Sequence, residues 1–592
     1  MMEKYEAPIE DMNFVLTQLL NFESYLKSVN NNQITTDSVK MIIEEASKFA
    51  TEELDSINHI GDQEGIKLEN GIVRMPETFV KAYKKFVKNG WFSIIGENEY
   101  GGQNLPLSVI AIINEIWQSA NISFASNNML TQGAIELLES HGNEKQKIEY
   151  LPNLISGEWS GTMNLTEPHA GSDLSSIKTK AIKKDNKYYI KGTKIYITHG
   201  DQDMSDNIIH LVLAKLDGAP KGVKGISLFL VPKYFINQSG AKSKNDIKVV
   251  SIEKKLGHHA SPTCVLSFGD NDGAMGELIG EPNQGLKAMF TMMNNARLSV
   301  GVQGLAISER AYQKALYFSK ERKQGSSLDK NISGTVEIIK HPDVKRMLME
   351  MRAQIEAMRG LTITTGNFID KYKNSPNSSE GKDNLFISNF LTPIVKAWCT
   401  DQSIYITSLG VQIHGGMGFI EDTGAAQYYR DARILPIYEG TNGIQALDLL
   451  RRKLFQENGQ TYIKVLKKLE KTANLALREN NKEINEIGNL LLNCVDTLKN
   501  TSLWLIKKYK ENPLQAASGA TPYLNMFGWA LGGWIMVDSA VKAQGIIKKD
   551  NNSKFAKEKI NTSLFYCNTY LPFAISLENT IKKSYYPLEN FA

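Results

Sequence analysis

The chain has 592 residues, more than one hydrophobic core normally supports, so several domains are expected. Hydrophobic residues make up 42% and charged residues 22%, as in an ordinary globular protein. The 68 basic and 64 acidic residues give a net charge of +4 without long runs of one sign. This balance argues against a nucleic-acid partner and against binding to a charged membrane surface.

Cysteine usage and the N-terminus favour a cytoplasmic protein. The four cysteines lie far apart and form no CxxC pair, so we expect reduced, buried thiols: Cys264, Cys399, Cys494 and Cys567. The first residues, MMEKYEAPIEDMNF, are acidic and lack the apolar core of a secretory signal. The most apolar segment, 523–541, contains Gly528, Gly532 and Gly533, which predict close packing of a buried core helix rather than a membrane span.

Hydrophobic periodicity predicts a mainly α protein with a central β domain. We expect a helical lead-in (1–36), an α-helical domain (37–158) with Asp37 and Ser38 at its first cap, and a middle β domain (159–284). A C-terminal four-helix bundle (285–455) and an additional α-helical domain (456–592) would follow. Strands are predicted at 187–198, 207–216, 226–232, 247–253 and 262–268, and their short spacing favours a compact antiparallel sheet or barrel.

The segment 412–452 is the most informative part of the chain. It contains a cluster of Gly415, Gly416 and Gly418, and backbone without side chains lets a flat or anionic ligand approach closely. A single carboxylate, Glu439, follows between Tyr438 and Gly440 on the loop before a predicted helix, with Thr441 at its N-cap. A Gly-rich turn with a solvated Glu is the alternative for this segment taken alone.

Three further motifs occur in order upstream. MNLTEPHAGSD (163–173) offers hydroxyl and backbone donors, KIYITHG (194–200) follows it, and a third run covers 297–304. Together the four motifs resemble those of flavin-dependent acyl-CoA dehydrogenases, and the resemblance covers residues 37 to 455. It is strongest with the branch of about 600 residues that carries an extra C-terminal helical region. No nucleophile elbow, P-loop, dinucleotide GxGxxG or metal-ligand pattern occurs in the sequence.

The resemblance implies an enzyme with bound FAD, in which Glu439 removes the α-proton of an acyl-CoA thioester. It places these residues at the cofactor: Met163, Leu165, Thr166, Gly171, Ser172, Tyr196, Thr198, Arg322, Gln324, Gln412, Gly415, Gly416, Thr441 and Asn442. It places Ser172, Asn294, Arg297, Tyr438 and Gly440 at the substrate. The sequence departs from the family at Asn294, where Asp is common, and at Gly443, where Gln is common. A buried structural ion pair is the equally favoured alternative for Arg297.

The resemblance also implies partners and a substrate class. The reduced flavin would pass its electrons to an electron-transfer flavoprotein, and flavin sites that draw on two chains imply a homodimer. A short or medium acyl chain is expected, with 3-(methylthio)propanoyl-CoA as the specific substrate. Three alternatives stay open: a general fatty acyl-CoA dehydrogenase of β-oxidation, an acyl-CoA oxidase-like enzyme, and a non-catalytic flavin- or CoA-binding relative.

Overall fold

The computed structural model describes residues 4–29, 34–185, 187–236, 240–329 and 331–591. The chain forms two compact units. The first unit comprises Met1–Lys48, Pro106–Ser119 and Val300–Ala592, and the second comprises Phe49–Leu105 and Ala120–Ser299. The predicted class, mainly α with a central β domain, is confirmed.

Most of the chain is helical. The helices of eight or more residues are Thr36–Phe49, Asp55–Glu64, Glu77–Lys88, Leu107–Ala120, Ile122–His141, Glu144–Ser156, Gly285–Glu321, Pro342–Asn374, Ser379–His414, Ala425–Ala432, Gln460–Ala476, Lys482–Glu511, Ala520–Ile547 and Lys554–Lys583. Shorter α-helices are Ile9–Phe14, Phe22–Ser28, Asn442–Asp448, Pro513–Ser518 and Tyr585–Glu589. Within the described ranges, π-helical segments interrupt this pattern at Val15–Leu19, Ala50–Leu54 and Leu449–Lys453.

The N-terminal lead-in is helical, as predicted, and Phe14, Leu16 and Phe22 are buried. Residues 1–3 and 30–33 of this segment lie outside the described residues. The cap of the next helix differs from the prediction. The Ser38 amide donates to Thr35 Oγ1 (3.0 Å) and the Thr35 amide donates to Ser38 Oγ (2.9 Å). Thr35 therefore caps this helix in place of Asp37 and Ser38, because its hydroxyl accepts the Ser38 amide, one of the free amide groups of the first turn.

The second unit contains an eight-stranded sheet. Its strand order is Ile247–Ile252, Thr263–Phe268, Lys187–Thr198, Ala274–Ile279, Ile226–Pro232, Asn207–Leu216 and Trp159–Asn164, and Lys180–Lys184 pairs with both Lys187–Thr198 and Asn207–Leu216. Further two-stranded sheets join Lys67–Glu69 with Ile72–Arg74, Tyr234–Ile236 with Lys242–Lys244 and, in the first unit, Lys323–Ser326 with Thr335–Glu337. Ile190, Val212, Phe229 and Leu266 lie in the core of the large sheet.

The large sheet is not purely antiparallel, which corrects one detail of the prediction. Asn207–Leu216 pairs in parallel with Trp159–Asn164 and with Lys180–Lys184. A parallel pair needs a crossover connection of a dozen or more residues. The chain from 165 to 206 provides one, and it contains the antiparallel pair of Lys180–Lys184 with Lys187–Thr198.

The glycine-rich helix Ala520–Ile547 is buried, as its sequence predicts. A Cβ atom at Gly528 would lie 2.3 Å from the Trp398 ring, and one at Gly533 would lie 2.5 Å from Leu571. The glycines thus allow neighbouring helices to approach closely.

Among the described residues, no helix combines the length and apolar character that crossing a membrane requires. All four cysteines are buried free thiols, as expected.

Candidate active site

Glu439 lies in the first unit, on the loop between helices Ala425–Ala432 and Asn442–Asp448. Its side chain is partly exposed. Gly440 follows with a φ of 69°, a left-handed conformation that glycine adopts at little cost. Thr441 precedes the helix as predicted, and its carbonyl accepts the Gln445 amide (3.0 Å). Its hydroxyl makes no capping bond to a described residue.

The Asn442 carboxamide anchors this loop to helix Ser379–His414. Its Nδ2 group donates to Asp401 Oδ1 (2.7 Å), Ala397 O (3.0 Å) and Thr400 Oγ1 (3.0 Å). Its Oδ1 accepts from the buried Lys396 Nζ (2.9 Å). The side chain is thus committed to the helix, so a cofactor contact from Asn442 would have to come from its backbone.

Tyr438 holds the other side of the loop. Its hydroxyl donates to Oε1 of Gln303, which lies on helix Gly285–Glu321. Burial and the charge of the neighbouring Glu439 both raise the pKa of the Tyr438 hydroxyl, so it stays protonated and able to donate. Gln445 Nε2 donates to the Gly440 carbonyl (2.9 Å). Glu439 is therefore flanked on both sides by residues with fixed hydrogen bonds.

In the second unit, the structure brings two predicted motifs together. The Ile195 amide donates to Thr166 O (2.9 Å), and Lys194 Nζ donates to Leu165 O (3.0 Å) and to Glu167 Oε1 (2.9 Å). Both charged side chains are buried. The segment with Met163, Leu165 and Thr166 is thereby tied to the strand with Tyr196 and Thr198.

Tyr196 stands out because its backbone is left-handed, with a φ of 58°. The pairing with Thr263–Phe268 shifts here: Ile197 faces Cys264 and Lys194 faces Leu266, so two residues oppose Val265. This β-bulge turns Tyr196 outward, and the residue is 61% exposed. Backbone strain of this kind costs on the order of 1–3 kcal/mol and is common at ligand sites.

The remaining predicted cofactor residues are exposed. Gly171 and Ser172 lie on an open loop, where a Cβ atom at Gly171 would meet nothing within 4 Å. Arg322 and Gln324 are neighbours after helix Gly285–Glu321, with Arg322 Nη2 3.3 Å from Gln324 Oε1. Gln412, Gly415 and Gly416 lie at the exposed end of helix Ser379–His414.

The predicted substrate residues on helix Gly285–Glu321 differ in exposure. Asn294 is exposed, whereas Arg297 is 7% exposed.

Sequence reasoning missed several residues that organise the site: Glu167, Lys194, Gln303, Lys396 and Gln445. Lys194 stood inside the quoted motif KIYITHG, and its two-residue register with the apolar Ile190 of the same strand is the signal that could have revealed it.

Family models cover nearly the whole chain. The N-terminal, middle and C-terminal domains of acyl-CoA dehydrogenase match residues 36–158, 162–271 and 283–454, and an "Acetyl-CoA dehydrogenase C-terminal like" model matches residues 465–588. The chain is also 42% identical to the 3-methylmercaptopropionyl-CoA dehydrogenase of Ruegeria pomeroyi, with 96% of each chain covered.

The chain belongs to the acyl-CoA dehydrogenase family.

Other members of this family resemble the chain over its full length. It is 31% identical to a butyryl-CoA dehydrogenase of Syntrophomonas wolfei, covering 98% of this chain and 97% of the relative. The crystal structure of an acyl-CoA dehydrogenase complexed with FAD from Bacillus anthracis has the same fold, with a TM-score of 0.73 and 23% identity over 96% of this chain and 91% of that one. The expected family membership and fold are thus confirmed, including the additional C-terminal helices.

Proposed function

We propose that the protein is an FAD-dependent dehydrogenase that desaturates a short or medium acyl-CoA between its α- and β-carbons. The proposal rests on the position of Glu439. This carboxylate stands in the YEG motif of a family member, on a loop that the hydrogen bonds of Asn442 and Tyr438 hold in place. The 42% identical relative makes 3-(methylthio)propanoyl-CoA the specific substrate that we propose.

The chemistry needs a base in the right place. The Glu439 carboxylate takes the α-proton of the thioester, and the electron pair of that C–H bond becomes part of the new α,β double bond. Bound FAD would supply the acceptor for the β-hydrogen, which leaves as hydride, because no side chain can take a hydride. The Glu439 backbone amide would donate to the thioester oxygen as negative charge develops there. The product is a trans-2-enoyl-CoA.

The exposed residues of each unit fit the chemistry of FAD. In the second unit, Tyr196 presents an aromatic ring to solvent, and the open backbone at Gly171 and Ser172 leaves room for a ligand edge. In the first unit, the exposed Arg322 guanidinium suits a pyrophosphate because it offers several fixed donors. Met163, Leu165, Thr166, Thr198, Gln324, Gln412, Gly415 and Gly416 complete the proposed cofactor set, and Asn294 and Arg297 the proposed CoA contacts.

We infer further that an electron-transfer flavoprotein reoxidises the enzyme and that it acts as a homodimer. The resemblance to the acyl-CoA dehydrogenase family supports both inferences. Butyryl-CoA dehydrogenases among the relatives support a second substrate class, straight-chain acyl-CoA.

The test is anaerobic bleaching of the flavin by a panel of acyl-CoAs, with Glu439→Gln beside the wild type. We expect rapid bleaching by 3-(methylthio)propanoyl-CoA, weak bleaching by long chains, and a loss of about 10²–10⁴-fold in rate in the variant, which is the contribution of a general base. Bleaching by straight chains alone would reassign the substrate. Oxygen consumption without an added acceptor would indicate an oxidase, and a colourless protein a non-catalytic relative.

A further inference from the structure

Gln303 is a polar residue at a position where packing alone would favour an apolar one. Its side chain is 0% exposed, and its Oε1 accepts the hydrogen bond of the Tyr438 hydroxyl. Its Nε2 group is buried and meets no hydrogen-bond partner among the described residues. A buried N–H without an acceptor costs stability, whereas a methionine or leucine of similar size would pack without this cost. The bond to Tyr438 therefore accounts for the amide.

Helix Gly285–Glu321, which carries Gln303, packs closely against helix Ser379–His414, whose Lys396 binds Asn442 at the other end of the loop. A Cβ atom at Gly301 would lie 2.5 Å from Val395 Cγ1, and one at Gly304 would lie 2.7 Å from the Cys399 carbonyl oxygen. Neither position has room for a side chain, so the two helices are in close contact next to Lys396. The two anchors of the Glu439 loop thus belong to one rigid helix pair.

We propose that Gln303 is a positioning residue for the base: through the Tyr438 hydroxyl it fixes the side of the loop that Asn442 does not hold. The inference rests on the proposed role of Glu439 in proton abstraction. Tyr438 directly precedes Glu439, so a movement of its ring shifts the carboxylate with it. A misplacement of about 1 Å can lower the rate of a reaction about 100-fold, so this bond has a direct effect on turnover.

Gln303→Met removes the acceptor and keeps the volume of the side chain. In anaerobic single-turnover mixing with the acyl-CoA that bleaches the wild type, we expect flavin reduction to slow by about tenfold or more, with less than about a twofold change in the dissociation constant. Gln354→Met is the matched control, because Gln354 is also buried in the first unit and its Nε2 donates to Tyr570 OH (2.8 Å), a residue outside the Glu439 loop. We expect that control to reduce its flavin at the wild-type rate.

A double-mutant cycle tests whether Gln303 acts through Tyr438. Tyr438→Phe removes the same hydrogen bond without changing the core, so it also serves if Gln303→Met fails to fold. We expect the double variant to be no slower than the slower single variant, since both changes break one bond. Rates that multiply would overturn the proposal, as would a Tyr438→Phe enzyme with wild-type kinetics.

Hydrogen exchange gives a readout that does not depend on turnover. The Tyr438 amide donates to Ile434 O (3.1 Å) and the Asn442 amide to Pro436 O (3.0 Å). We expect both amides to exchange faster in Gln303→Met and at the wild-type rate in Gln354→Met. Unchanged exchange in Gln303→Met would overturn the proposal. If the wild type itself is not bleached by any acyl-CoA, the proposed function fails instead, and the exchange data still report whether Gln303 holds the loop.

Discussion

At the scale of single residues, the buried ion pair of Lys194 and Glu167 holds two predicted motifs of the second unit together. The two side chains are 0% and 2% exposed, so both ions are removed from water. Glu167 also accepts from the amides of Lys178 (2.6 Å) and Thr179 (3.1 Å) and from the Thr179 hydroxyl (2.6 Å). Burial raises the pKa of the Glu167 carboxyl, but the Lys194 charge and these hydrogen bonds outweigh it, and the pKa lies below its ordinary value.

We predict that Lys194→Met destabilises the protein strongly. It leaves the Glu167 carboxylate buried without its counter-charge, and breaking a buried pair in this way costs about 3–5 kcal/mol. The free energy of unfolding from urea titration measures the change, and flavin content after purification reports whether the two motifs still lie together. Lys81→Met is the control, because Lys81 forms an exposed pair with Glu77 (2.7 Å) that is about as short as the Lys194–Glu167 pair (2.9 Å). A loss in Lys194→Met no larger than in Lys81→Met would refute the argument.

Residues with a proposed chemical role are easier to find in the sequence than residues that hold them in place. Glu439 and Tyr196 stand in short motifs whose order along the chain carries the resemblance. Gln303 and Lys396 are single polar residues within long helices, and their partners lie 135 and 46 residues away. Only a structure pairs positions so far apart, and the individual cofactor contacts stay predictions.

At the scale of elements, periodicity predicted the long apolar strands of the large sheet but missed the short polar strands that pair with them. Strands predicted at 187–198 and 207–216 occur as Lys187–Thr198 and Asn207–Leu216. The unpredicted strands have weak signals: Trp159–Asn164 is rich in small polar residues, and Lys180–Lys184 is largely charged. Helix Ser379–His414 begins at Ser379 because the Ser378 hydroxyl caps it by accepting the Gly381 amide (2.9 Å).

Two glycines of helix Ala520–Ile547 give a matched test of helix packing. At Gly528, a Cβ atom would lie 2.3 Å from Trp398, whereas at Gly545 it would meet nothing within 4 Å. We predict that Gly528→Ala destabilises the protein by about 1–3 kcal/mol, since the added methyl group overpacks a buried contact. Gly545→Ala should instead stabilise it by up to about 1 kcal/mol, because alanine is the better helix former. Thermal unfolding of both variants measures the difference, and a shift of the same sign in both would contradict it.

At the scale of the whole chain, one buried ion cluster in the first unit joins segments from both ends of the sequence. Arg359 donates to Glu115 (2.7 Å), Glu309 (2.6 Å) and Asp11 (2.6 Å). Lys559 donates to Glu356 (2.6 Å) and also to Asp11. Burial raises the pKa of Glu115 to about 7 despite the Arg359 charge. For Asp11, burial is outweighed by the Lys559 and Arg359 charges, and its pKa is lowered.

Asp11 is the link between the N-terminal lead-in and the additional C-terminal helices. It lies on helix Ile9–Phe14, 348 residues before Arg359 and 548 before Lys559. No local pattern distinguishes it from the neighbouring Glu10, which is exposed. The sequence therefore predicted a helical lead-in, but not the charge that anchors it.

Asp11→Asn should therefore weaken the packing of both the N-terminal lead-in and helix Lys554–Lys583. It keeps the shape of the side chain but leaves Arg359 and Lys559 buried with one negative charge fewer, which we expect to cost about 3 kcal/mol or more. Unfolding in urea measures this loss, and limited proteolysis should cut both the lead-in and helix Lys554–Lys583 faster, since each loses a partner. Glu10→Gln removes one negative charge from the same helix at an exposed position, so it controls for net charge. Faster cleavage of the lead-in alone would mean that Asp11 holds only its own helix, and that the C-terminal helices depend on Glu356 instead.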